Sequence, residues 1–598
     1  MFGGTAATIP ATITVTADSV ALSNQAVKPG NAPATFVGTS LGPAPAGNIA
    51  LNVNTLRVNV NPDGTPIEGA RKVFINSPGS STDSTGGPAG TLTISGLGPE
   101  ATDAAKLVAL NNVNITTAVE GGTAALPPGA ITITADTMTL TGETGIVAFT
   151  SSAAPAGNIA LNVNTLRANV KPDGTLINGQ PQSFIASTSD SSTSTAGRAG
   201  TVTISGLGPE ATDAAKLVVL NNTELSTTVK GGTAATRPAT ITMTADMLSL
   251  TNSRNIKADT SGAAPAGNIT FNVNTLTADQ ATISSRSTSV AATAGNAGSV
   301  RIQGQGGDGT LADTITVRQS TITTEADTGP GGSITLGARN QIAMTDSTIS
   351  ATVTGGRLPG GNITFAAGED VLLSNGSIIS AESTGLGDAG TITITAGHRI
   401  LDANSAVTTQ ASQADGGNVS LTAGSMAHLI KSQITTSVGS GQGKGGNITI
   451  DPRFVVLDNS QIRADAFGGP GGNVKIVADV YLTTDSVVSA SSALGVPGTI
   501  NILASTTNVS ATLARLPEAV AQAATLLRAS CAARVAAGKA SSLVVAGREG
   551  VPLEPGGYLP SPLMVEELGS AGLSRSEGHY WETFPRLSSV VLAPACSR

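Results

Sequence analysis

Aromatic side chains are nearly missing: Phe, Tyr and Trp make up 2% of the 598 residues, with one tryptophan, Trp581. A globular core of this size normally uses many more such rings as filler. Charge is scarce too, at 12% of residues, and the balance is −8. That balance speaks against nucleic-acid binding, which needs a basic face, and no polybasic segment suits an anionic membrane. No apolar run reaches the length of a membrane-spanning helix. The opening MFGGTAATIPATITV lacks a basic stretch followed by an apolar one, so it does not read as a signal peptide. Only two cysteines are present, both close to the C-terminus.

What remains is small and β-branched. Hydrophobic residues still amount to 39%, and glycine reaches 72. Ile, Val, Leu and Ala in such quantity exclude a chain that is disordered by composition and suit a thin core between stacked strands.

The sequence is built on repeats. A glycine, then Asn, Thr or Ser, then an apolar–polar–apolar alternation recurs as GNIAL at 47–51, GTLTI at 90–94, GNIAL at 157–161, GTVTI at 200–204 and GNITF at 267–271. From Gly298 onward the starts step by 34, 29, 29, 27, 29, 26 and 26 residues to GTINI at 498–502. A longer period lies over the first half. GNIALNVNTLRVNVNPDGT at 47–65 returns as GNIALNVNTLRANVKPDGT at 157–175, and GLGPEATDAAKLVALNN at 96–112 returns at 206–222, each shifted by 110. With the weaker starts at Ala130 and Thr240, each long unit contains three short ones.

One unit shows the physics. In 445–470, Ile448 and Ile450 face one way and Thr449 the other, by strand alternation. Val455 and Leu457 begin a second strand, Asp458-Asn459-Ser460 mark a turn, and Ile462 and Ala464 form a third. Such a unit cannot bury its own apolar face, but stacking the next one about 4.8 Å away pairs every strand in parallel. The expected fold is therefore all-β, a right-handed single-stranded parallel β-helix over 1–510, with 26–43 residues per coil. Its repeated glycines are expected at sharp, positive-φ turns. About nineteen coils at that rise imply roughly 90 Å of stack. A propeller would need longer repeats with aromatic marks, and a sandwich would need hairpin turns.

Two ends of the array differ. Residues 3–22 match 121–140 and 231–250, so Met1 falls inside the repeat pattern. The chain is thus expected to be the C-terminal part of a longer protein whose upstream region supplies a signal peptide and a cap. Residues 511–598 form a separate module. LPEAVAQAATLLRASCAARVAAG at 516–538 reads as a helix that caps the array. A Pro/Gly-rich tail at 541–563 follows, with one short strand at 543–545. In an oxidising compartment Cys531 and Cys596 form one disulfide from helix to tail, whereas in a reducing one they stay two free thiols.

These features together resemble the large bacterial exoproteins of the filamentous haemagglutinin type, exported by two-partner secretion. Cys531, the serine-rich segment after it, and Gly547-Arg548-Glu549-Gly550-Val551-Pro552 are similar to the C-terminus of that family's cyanobacterial and proteobacterial branch. The resemblance covers essentially the whole chain. It implies a secreted or cell-surface adhesin whose partners are an outer-membrane transporter and an unidentified cell-surface or carbohydrate receptor. The transporter recognises an N-terminal secretion domain that is missing here. Asn61-Pro62-Asp63-Gly64, duplicated as Lys171-Pro172-Asp173-Gly174, reads as a loop and not as part of that domain.

Catalysis finds little foothold. Acidic residues are scattered, with Asp346 and Asp458 in turns, and His398, His428 and His579 make no metal-spaced pair. Gly304–Thr310 (GQGGDGT) resembles a calcium turn but occurs once, and reads as a loop. The Thr-x-Thr runs at 12–16 and 391–395 read as solvent-facing strand residues, not an ice-binding face. No catalytic, cofactor or metal site is expected. Binding is assigned to the excursions Arg57–Pro88 and Arg167–Arg198. Two other readings stay open: a polysaccharide-processing β-helix enzyme, and a passive surface-layer or scaffold protein.

Overall fold

The computed structural model describes residues 9–24, 35–80, 86–98, 103–208, 213–252, 255–291 and 293–507. The chain divides after Ser510. The whole of 511–598, with the expected helix, Cys531, Cys596 and the tail, lies outside the described residues.

Every element in the described part is a strand, and the strands pair in parallel. Successive tiers begin at residues 12, 48, 91, 130, 158, 201, 240, 268, 299, 333, 362, 391, 418, 448, 473 and 499, which makes sixteen. The difference from nineteen comes from the first half, where insertions lengthen each coil without adding a tier. Within a tier the chain runs through a first and a second strand that belong to one large sheet. It then turns a corner into a short third strand of a second sheet. In some tiers the first two strands are continuous, as in Ser333–Thr345; in others a two-residue break separates them, as between Asn362–Ala367 and Asp370–Ser374. The second sheet runs tier by tier from Thr35–Val37 to Val487–Ser489, and no pairing joins its first strand to its last.

In-register pairing converts the alternation of each strand into columns. Ile334, Ile363, Ile392, Val419, Ile448 and Val474 stack in one unbroken register, all buried. Between them Thr335, Thr364, Thr393, Ser420, Thr449 and Lys475 stack on the outside. The unit analysed above behaves as its pattern requires: Ile448, Ile450, Val455, Leu457, Ile462 and Ala464 are buried, and Thr449 is not. One contiguous aliphatic core follows, from Ile49 to Ala490, with Phe271 and Phe365 its largest fully buried side chains.

The repeated glycines have another job than the expected one. None of Gly332, Gly361, Gly390, Gly417, Gly446, Gly472 and Gly498 has a positive φ. A Cβ added at any of them would fall 1.8 Å from the carbonyl oxygen of the corresponding glycine one tier earlier. Glycine is required because backbone lies directly on backbone. The left-handed corner belongs instead to a residue after the second strand. Asn59, Asn112, Asn169, Asn222, Asn252, Asn375, Asn404 and Asn459 all have φ between +46 and +56 there. Asparagine tolerates that region best among residues with a side chain.

Just past this corner a serine is buried in tier after tier. The Ser320 amide donates to Ser347 Oγ (3.2 Å), Ser405 N to Ser432 Oγ (3.4 Å), Ser432 N to Ser460 Oγ (3.1 Å) and Ser460 N to Ser486 Oγ (3.0 Å). These bonds satisfy amides that the bend removes from the ladder.

Replacing Gly417 by Ala is expected to lower stability by about 3 kcal/mol through the backbone clash. Gly376→Ala, at an open positive-φ site with nothing within 4 Å, costs about 1 kcal/mol of strain. Thermal midpoints of the two variants check the order; equal losses would remove the stacking account.

Candidate functional site

The two excursions resolve into wall and projection. Most of Arg57–Pro88 is the coil itself: the end of Asn48–Val58, the corner at Asn59, and the strands Val73–Asn76 and Gly79–Ser80. What projects is a small turn closed by the antiparallel bridge Val60–Pro66, and its duplicate is closed by Val170–Leu176. In the first, Asn61 N donates to Thr65 O (2.9 Å), and Asp63 Oδ1 accepts from Thr65 N (2.9 Å) and Thr65 Oγ1 (2.7 Å). In the second, Lys171 N donates to Thr175 O (2.9 Å) and Thr175 N to Asp173 Oδ1 (2.9 Å). These bonds hold both exposed carboxyls below the ordinary Asp value, through the Thr65 side chain first for Asp63 and the Thr175 amide first for Asp173. Both turns need glycine at their fourth position, Gly64 (φ +86) and Gly174 (φ +89).

The turns lie together. A Cβ added at Gly64 would sit 3.5 Å from Pro172 Cγ, although 108 positions separate the two residues. Three tiers span that interval, so the 110-residue duplication places equivalent turns side by side on one face.

Their roots are clamped by buried asparagines. Asn111 Nδ2 donates to Asn59 O (3.1 Å) and Ile67 O (3.2 Å), while Asn59 Nδ2 returns bonds to Arg71 O (2.9 Å) and Asn111 O (3.0 Å). Asn221 Nδ2 does the same for Asn169 O (3.1 Å) and Ile177 O (3.2 Å). Carbonyls that leave the ladder at an excursion would be costly if orphaned in the interior. These amides answer them and fix the turns to the wall. Composition alone does not reveal the clamp; the signal is the Asn-Asn pair at 111–112 that recurs at 221–222.

A polar furrow lies elsewhere, over the glycine column. One stretch, of about 650 Å³, has Asp388, Asp415 and Lys444 on one side and Asn418, Asn447 and Asn473 on the other. Asn447 Nδ2 donates to Asn418 Oδ1 (3.0 Å), and Asn473 Nδ2 to Asn447 Oδ1 (3.0 Å). The furrow exists because its floor has no side chains.

The other residues singled out in the sequence stay apart. His398 Nδ1 meets Asp370 Oδ1 at 3.0 Å, and Arg399 Nε meets Asp370 Oδ2 at 3.0 Å, so both side chains pack on one partly buried carboxylate. His428 lies in the strand Met426–Ile430, and His579 is outside the described residues. Asp346 is a left-handed corner (φ 49), and Asp458 ends a strand before Asn459. In Gly304–Thr310 the turn is closed by its own groups: Thr310 Oγ1 bonds Gly304 O (2.9 Å) and Gly307 O (2.6 Å), and Asp308 pairs with Arg301. Along 391–395, Ile392 and Ile394 are buried and the threonines face out. Among the described residues no group of three His, Cys, Asp or Glu is placed to hold a metal ion.

One titratable residue escaped the sequence reading. Asp402 points into the core, 2% exposed, in register between Leu373 and Leu429. Ser432 Oγ donates to its Oδ1 at 2.9 Å. Burial pushes this carboxyl up to about 7, with Ser432 and Ser405 opposing.

Comparison with known proteins returned no matching family model and no significant match to a curated protein or a solved structure.

The raised Asp402 value has a direct consequence. Between pH 4 and 7 the folded chain keeps a proton that the unfolded chain releases, so stability falls as pH rises through that window. A displacement of this size corresponds to about 4 kcal/mol. Asp402→Leu, which matches its column neighbours, is expected to raise the thermal midpoint at pH 8 and leave it nearly unchanged at pH 4. An equal effect at both pH values would contradict the buried proton.

Proposed function

We propose that the chain is a secreted or cell-surface exoprotein of the filamentous haemagglutinin type that adheres to cells, surfaces or carbohydrate and catalyses no reaction. The observation that supports this most is the pair of clamped turns. Binding groups held by buried hydrogen bonds on a regular wall lose little freedom when a partner docks. The turns offer carboxylates, hydroxyls and peptide groups, which suits recognition of polar surfaces.

The finer architecture belongs to the same proposal. A right-handed coil follows the rule for parallel crossovers. An outer-membrane transporter of the two-partner kind is the proposed export partner.

The test is replacement of Asn61–Thr65 and Lys171–Thr175 by short Gly-Ser links, followed by binding to a panel of cells, glycans and abiotic surfaces. Binding is expected to fall by about tenfold or more with an unchanged thermal midpoint. Unchanged binding would remove the turns as the adhesive site. An intact chain that binds nothing would favour a passive scaffold, and release of uronides or reducing ends from a glycan panel would favour the enzyme.

A further inference from the structure

The sequence TITVTADSVAL at 12–22 has two sisters in the same chain, AITITADTMTL at 130–140 and TITMTADMLSL at 240–250. All three pair in the same register on the following tier: Ile13 on Ile49, Ile131 on Ile159, Ile241 on Ile269. Their surroundings differ on the other side. Ala130–Thr141 also receives Thr91–Ser95 and Ala105–Asn111, and Thr240–Thr251 receives Thr201–Ser205 and Ala215–Asn221. No strand among the described residues pairs with the outer edge of Thr12–Leu22.

Burial records the difference. Ile131, Ile133, Met138 and Leu140 are fully buried, whereas Ile13, the counterpart of Ile131, is 36% exposed. Val15, Val20 and Leu22 are only partly buried against the end of the core. The third strand repeats the pattern: Phe36 is partly buried where its counterpart Ile146 is fully covered. An edge of this kind, with N–H and C=O groups that no described strand pairs and apolar side chains in register, is a template for strand addition.

We propose that Thr12–Leu22, with Thr35–Val37, is a docking surface for one further β tier, and that its occupant is a polypeptide segment of the type found at 89–120. Both sister strands carry such a tier on this edge. The tier on the first sister places Leu92 and Ile94, then Val108 and Leu110, then Ile115 over the inward columns, all buried. An occupant therefore needs apolar residues at alternate positions in three short runs. The surface is independent of the clamped turns and of adhesion.

Hydrogen exchange of the full chain with a synthetic peptide of residues 89–120 tests this. A composition-matched scramble is the control, and a fusion of 89–120 ahead of the chain serves as a second format. Exchange of the 12–22 amides is expected to slow by about tenfold or more with the matched segment and not with the scramble. Protection in either format supports the assignment. Its absence in both formats overturns it, as does equal protection by the scramble. Protection arising from self-association of the unmodified chain also overturns it, because the occupant would then be a second copy.

Discussion

Everything in the array depends on how closely one tier can approach the next. Parallel strands pair at about 4.8 Å, and where the chain enters most tiers a glycine lies directly over the carbonyl of the residue that enters the tier before it. Seven consecutive tiers from Gly332 to Gly498 leave no room there for a single carbon. That contact fixes where each coil starts, and the start fixes the register of every residue after it. A one-residue slip would turn the whole apolar set outward. The glycine column is thus a mechanical index mark, and the aliphatic columns are its consequence.

Such an index makes insertion cheap at the corners. A coil of 26 residues and one of 43 contribute the same tier, provided the excess leaves and rejoins the wall without stranding its polar groups. The buried amides of Asn111 and Asn221 show how this is arranged. They bond the carbonyls at the point of departure, and the projecting turn is left rigid at its root. Duplication of three tiers then sets two such turns in contact. Scaffold and display are one construction, and the proposed adhesive role rests on that coupling.

The fold was legible because its signal is periodic and repeated many times; each of Ile448, Ile450, Val455, Leu457, Ile462 and Ala464 could be assigned to the interior from one unit. What the glycines do was not legible. A glycine marks either a positive φ or a close approach, and only coordinates distinguish the two. The left-handed role fell to asparagines such as Asn375 and Asn404, which look like ordinary polar turn residues in the sequence. Asp402 was hidden for another reason: it occupies an inward slot between Leu373 and Leu429, and one polar residue in such a slot does not break the period. The excursions Arg57–Pro88 and Arg167–Arg198 contain wall strands, Val73–Asn76 and Ser183–Ser189, as well as the projecting turns.

The central claim is that residues far apart in sequence are separated by a fixed number of tiers along one axis. Thr203 and Thr449 lie on the same outward column, eight tiers apart through Thr242, Thr270, Arg301, Thr335, Thr364, Thr393 and Ser420. Spin labels at these two positions, read by pulsed dipolar spectroscopy, measure that separation directly. A narrow distribution centred at about 38 Å is predicted from the strand spacing. A broad distribution, or a maximum differing by more than about one or two tier spacings, would contradict the stacked-tier account.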